Sequence, residues 1–306
     1  MQSRAWRSVA LAVVGTALGI WRPDLGARGS FLFAVALIVG LPHGALDHRL
    51  AHMWGGWRSL RGQLGFHAVY LVGVVVALLG WVLVPAAGLV LLLATSAWHF
   101  GESDLLHLSR KLRRPSVVWS RGLMIVMGPF LAHPDEAARL FAEVAGPGTP
   151  LAAVLPSAEL GTALAFGLVV VHGALVAASG RDFEEQSLAL LDVLGVAFLT
   201  LGGGPVVGIG LYFLLWHTPD HFASVLRHET ARGAGLRTIL ADAAPRTAVS
   251  LVGLLVLAWW VDPSLWTRWI VWGVGCLALP HALIVHFAFL PMVSEERLEF
   301  ASGRSG

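Results

Sequence analysis

Apolar runs long enough to cross a bilayer recur along almost the whole of this chain. A spanning helix needs about 20 predominantly apolar residues, and a helix is one of the few folds that satisfy every backbone N–H and C=O without water. Of 306 residues, 56% are hydrophobic and 13% are charged; a soluble domain carries about 25% charged residues. The mean hydropathy is +0.72. The expected fold is therefore all-α: a polytopic transmembrane helical bundle, forming a single integral membrane domain over residues 1–306. No separate soluble domain fits in what remains.

The apolar windows predict about ten spans, at roughly 8–22, 30–48, 64–84, 86–106, 117–133, 158–178, 186–202, 205–226, 246–262 and 267–290. The breaks between them carry turn residues or charge, as in SRKLRRP, AGPGTP and GGGP. The start, MQSRAWR followed by an apolar run, is similar to a signal peptide but has no A-x-A cleavage site, so a retained first helix is expected. PDEAARLFAEVA (Pro134–Ala145) reads as an amphipathic interfacial helix.

Charge tests the count. With both termini in the cytoplasm, 17 of the 21 Lys and Arg residues fall inside, including Arg4, Arg7, Arg49 and Arg121. Only Arg22, Arg28, Arg139 and Arg268 fall outside. That is the bias expected of a multi-pass protein of the cell membrane. It also accounts for a pI near 9.2 without nucleic acid as a partner.

Thirteen histidines interrupt this apolar background. An ionisable residue inside a membrane is costly and is by default a functional candidate. His43 in GLPHGALDH, His99 in SAWHFGESD, and His217 and His221 in LLWHTPDH all fall near the inner ends of even-numbered spans. His281 in LPHALIVH does the same and repeats the Leu-Pro-His of span 2. Imidazole is the commonest metal ligand. His217 and His221 are spaced i, i+4 and so face one way. Asp47 is i+4 from His43, and Glu102 is i+3 from His99. Asp47 can accept the second ring N–H of His43, and Glu102 can do so for His99 or serve as a ligand or a proton relay, while Asp104 is turned away from His99. His281 is a reserve ligand. The lone Cys276 excludes a disulfide framework and a CxxC site. Imidazoles without thiolates leave iron, copper, zinc and nickel all open.

Together, PHGALDH, WHFGESD, the late WHxxxH and the terminal LPHALIVH resemble the bacteriorhodopsin-related (Brp) and Brp-like (Blh) family of membrane β-carotene 15,15'-dioxygenases. The chain differs in reading HTPDH where a basic residue is expected before the second histidine. The resemblance implies a non-haem Fe(II) enzyme with His43, His99, His217 and His221 as ligands. It implies O₂ and a lipid-soluble carotenoid as substrates, two retinal as product, and a functional link to a retinal-binding rhodopsin. The alternatives are another histidine-ligated membrane oxygenase, of the hydroxylase or desaturase class, and a carotenoid- or retinal-binding protein without turnover. A transporter is disfavoured because the outer halves of the histidine-bearing spans are almost wholly apolar.

The charge partition predicts that reporter fusions after Gly306 and within residues 135–148 report opposite sides of the membrane. Both reporters on one side would overturn the count of ten.

Overall fold

In the computed structural model, residues 2–21, 35–36, 38, 40, 44–51, 59–106, 108–179 and 182–289 are described. Among them every regular element is helical. The main helices are α1 (Gln2–Trp21), α2 (Asp47–Ala51), α3 (Leu60–Leu83), α4 (Pro85–Asp104), α5 (Pro115–Ala132), α6 (Pro134–Ala145), α7 (Ala158–Ser179), α8 (Phe183–Gly203), α9 (Thr218–Ala231), α10 (Leu236–Trp260) and α11 (Trp266–Ile284). Most of the predicted second span, and His43 with it, lies outside the described residues.

Local chemistry explains the helix starts. Ser59 caps α3 by accepting the Gly62 N–H at 3.1 Å, and Asp182 caps α8 by accepting that of Glu184 at 3.1 Å. Prolines open α4, α5 and α6, where a missing N–H costs nothing. The predicted amphipathic helix forms as α6. It buries Pro134, Ala137, Phe141 and Val144 on one face and ends at Gly146, with φ +100°.

Among the described residues, five helical runs are long and apolar enough to cross a membrane by length and composition: Leu60–Leu83, Pro115–Ala132, Ala158–Ser179, Phe183–Ala231 and Trp266–Ala288. Their outward faces expose large apolar side chains such as Val72, Val76, Phe166 and Val170, as lipid contact requires. The run Phe183–Ala231 has 49 residues. Drawn straight it would reach roughly 73 Å at 1.5 Å per residue, more than twice a hydrocarbon core of about 30 Å. It is not straight. Gly204 has φ +71°, and a Cβ added to Gly208 would lie 2.5 Å from the Thr200 carbonyl oxygen. The chain folds back at the GGGP break, and α8 ends there.

Two compact units result, each drawn from separated stretches: 1–39 with 89–219, and 40–88 with 220–306. In the first unit, α1 lies on α8 and α4 crosses α5 with backbones almost touching. A Cβ on Gly15 would sit 2.2 Å from the Phe198 carbonyl, and one on Gly122 would sit 1.6 Å from that of Ala97. Small residues at such crossings let helices pack where lipid removes the hydrophobic drive. Met124, Ile125, Val196, Leu199, Tyr212 and Trp216 form the centre of the core. Asp192 on α8 accepts from Arg4 Nε at 2.8 Å and Ser8 Oγ at 2.7 Å on α1. Arg4 and Arg7 stack over the buried Trp216 ring, 4.9 and 4.0 Å from its centroid. In the second unit, Trp81 of α3 stacks on Trp272 of α11, with centroids 5.7 Å apart. Arg49 of α2 is paired with Glu229 of α9 and Asp242 of α10.

Gly122→Ala should therefore destabilise the protein by about 1–3 kcal/mol, the usual cost of overpacking. Gly167→Ala, with nothing within 4 Å of the added carbon, serves as the control. Thermal unfolding in detergent measures both. A wild-type melting curve for Gly122→Ala would refute the close crossing of α4 and α5.

Candidate metal centre

The first unit holds two of the expected ligands side by side. His99 lies on α4, 6% exposed, and His217 is 1% exposed. Their rings meet edge to face with centroids 5.0 Å apart. His217 ends a π-helical turn, Phe213–His217. Pro219 comes two residues later; it lacks the N–H that a regular α-turn would use, and π-turns of this kind are frequent at functional sites. Phe100, with its centroid 4.7 Å away, and Phe213, stacked at 5.7 Å, wall the His217 ring. Ser103 Oγ lies 3.5 Å from His99 Nδ1, at the outer limit of a hydrogen bond. Glu102 is half-buried on the same helix.

The carboxylate beside this pair is Asp104. Its Oδ1 accepts from the Tyr212 hydroxyl at 2.8 Å, and its Oδ2 accepts from Arg121 Nη2 at 2.9 Å and Nε at 3.2 Å. His217 Nδ1 stands 3.8 Å from Oδ1. Side chains of Asp104, Arg121 and His217 are at most 3% exposed. A buried ion pair needs this completeness, because desolvation otherwise outweighs the Coulombic gain. Asp104, which helical spacing turns away from His99, lies beside His217.

Sequence reasoning missed Asp104, Arg121 and Tyr212. The available signal was Arg121 itself, a cation six residues inside the apolar helix α5. The charge partition counted it as a topology signal from an inner loop. The structure corrects that: Arg121 is 2% exposed and bound to Asp104. The partition stays strongly inward without it.

The second unit holds a separate pair of buried histidines. Asp47, 2% exposed on α2, is 2.8 Å through Oδ1 from His281 Nδ1. Tyr70 of α3 donates to Asp47 Oδ2 at 3.3 Å. Asp47 was expected to serve His43, which lies outside the described residues; the histidine it meets among the described ones is His281. His221, 2% exposed on α9, meets the His281 ring edge to face at 5.3 Å. Several other histidines are bound to nearby groups. His172 meets Ser120 Oγ at 2.8 Å, and His133 meets the Leu201 carbonyl at 2.6 Å.

Two imidazoles on one ion, each with a metal–nitrogen bond of about 2.0–2.1 Å, have ring centroids roughly 4.5–5.5 Å apart. Both pairs satisfy that. One ring of each pair has a carboxylate beside it, Asp104 for His217 and Asp47 for His281, which is the setting that metal-ligating histidines use. The residues thus fit a borderline divalent metal. Among the described residues they occur as two pairs, and no group of three or more His, Cys, Asp or Glu side chains is gathered for a metal.

Comparison with known proteins identifies the family of the chain. Residues 34–289 match the family described as beta-carotene 15,15'-dioxygenase. That stretch contains every candidate ligand. The chain is 27% identical to the probable beta-carotene 15,15'-dioxygenase Blh of Halobacterium salinarum, covering 92% of this chain and 89% of that protein. It is 24% identical to a beta-carotene 15,15'-dioxygenase of Uncultured marine bacterium 66A03, covering 87% and 96%. No solved structure matches. Because the match takes in most of the chain and all of its buried histidine motifs, this protein belongs to the beta-carotene 15,15'-dioxygenase family.

Proposed function

We propose that this chain cleaves all-trans-β-carotene at its central double bond with O₂, giving two molecules of retinal. The observation that carries this reading is the family match over residues 34–289. The carbon–carbon double bond breaks, each carbon takes one oxygen atom, and no other oxidant is required. In the same reading the metal is Fe(II), held by His43, His99, His217 and His221. Support comes from the two buried imidazole pairs and from the i, i+4 spacing of His217 and His221 along one unbroken helical backbone. Bound iron supplies the activation of O₂.

The chain's own side chains do the rest. Asp104, held by Arg121 and Tyr212, sets a negative charge beside His217 Nδ1, which favours the proton there and leaves Nε2 as the donor nitrogen. Glu102 is assigned the corresponding task for His99. Phe100 and Phe213 keep water from the His217 ring. β-Carotene carries no polar atom, so apolar surface alone must hold it, and a membrane enzyme receives it directly from lipid. Ten spans with both termini in the cytoplasm, as one integral domain of the cell membrane, complete the proposal. A retinal-binding rhodopsin is the partner that would consume the product.

Expression in cells that make β-carotene tests the activity: the pigment should bleach and retinal should be extractable. Unchanged pigment with the protein in the membrane would refute it. Purified protein should hold about one iron per chain, and His→Ala at any one of the four ligands should abolish retinal formation. Wild-type turnover after such a change removes that residue from the set.

Asp104→Asn should cost about 3–5 kcal/mol of stability, because it strands Arg121 as a buried unpaired cation. Asp104→Asn combined with Arg121→Met should recover most of that loss but not the activity. Full activity in the stable double variant would leave Asp104 with a purely structural role.

A further inference from the structure

We infer that His281 is a further donor to the metal, its ring set by Asp47 and, through Asp47, by Tyr70. The inference rests on the metal-centre reading above and deepens it.

An ionised carboxylate only accepts hydrogen bonds. With Asp47 Oδ1 2.8 Å from His281 Nδ1, the neutral ring carries its proton on Nδ1 and its lone pair on Nε2. Asp47 is itself fixed. Tyr70 donates to its other oxygen. The ring is 7% exposed, so Nε2 is presented to the protein interior rather than to solvent. Two elements bearing proposed ligands meet that ring. His221 lies edge on to it at 5.3 Å. Gly44, the residue after His43, lies in ordinary contact range, since a Cβ there would stand 3.8 Å from His281 Nδ1. A metal-ligating histidine almost always donates its second ring N–H to a carboxylate, carbonyl or water.

The sequence supplies a reason for the geometry. Pro280 precedes His281 inside α11, and the helix goes on as a π-helical turn over Val285–Phe289. His217 ends a π-turn and has Pro219 two residues on. Irregular winding re-aims a side chain without ending the helix.

The test is iron binding rather than turnover. Fe(II) affinity is measured by chelator competition on purified protein. The nitric oxide adduct of the iron form is then examined by pulsed electron paramagnetic resonance, which reads coupled imidazole nitrogens. His281→Ala should lower iron affinity by at least about 10–100-fold and remove one nitrogen coupling. Asp47→Asn should lower affinity by about 10-fold or more while keeping that coupling, and Asp47→Glu should recover part of the loss. If His281→Ala does not accumulate, His281→Gln keeps most of the volume and is measured in the same way. Wild-type affinity with an unchanged nitrosyl spectrum in the His281 variant, alongside iron loss in His217→Ala, overturns this inference alone. Retention of iron in both variants overturns the metal-centre reading itself.

Discussion

A carboxylate buried against an imidazole is the interaction around which both units are arranged. Asp104 stands beside His217 in one, and Asp47 bonds His281 in the other. Each carboxylate is further held by a tyrosine hydroxyl, Tyr212 or Tyr70. In a bilayer such groups have no water to fall back on, so a charge that lacks partners would neutralise or unfold its surroundings. Satisfying Asp104 draws in Arg121 from α5 and Tyr212 from the 49-residue helical run. Three helical segments of the first unit thus converge on one side chain.

The same need shapes the backbone. Charged and aromatic side chains take up the interior volume, so the helices must meet elsewhere at glycines. Gly15, Gly101 and Gly122 let backbones approach to distances that any Cβ would forbid. Where a histidine has to be aimed, the helix departs from regular winding. π-turns adjoin His217 and follow His281, and prolines at 219 and 280 flank them. Departures of this kind are tolerable inside a membrane only where the freed backbone groups are buried in protein or line a cavity.

Cations that read as topology signals have a second use. Arg4 is bound to Asp192, Arg49 to Glu229 and Asp242, and Arg121 to Asp104. Counting positive charge indicates where helix ends belong. It does not separate a charge left in solvent from one folded inward, because both have the same sequence signature.

The helices, most of their ends, and the histidines worth attention were legible in the sequence alone. Apolar runs have a fixed length requirement, and an imidazole in such a run stands out energetically. The turn at GGGP was legible too, since only glycine adopts φ +71° cheaply at Gly204. The partners of those histidines were not. Helical spacing relates residues on one helix, which is why Glu102 and Asp47 were assigned to His99 and His43. Across helices the structure brings Asp104 to His217 and Asp47 to His281, partners 113 and 234 residues apart in the chain. Sequence by itself determined that polar groups had to be buried in an apolar bundle. Only tertiary packing decided which of them meet, because periodicity along one helix carries no information about the neighbour across the crossing.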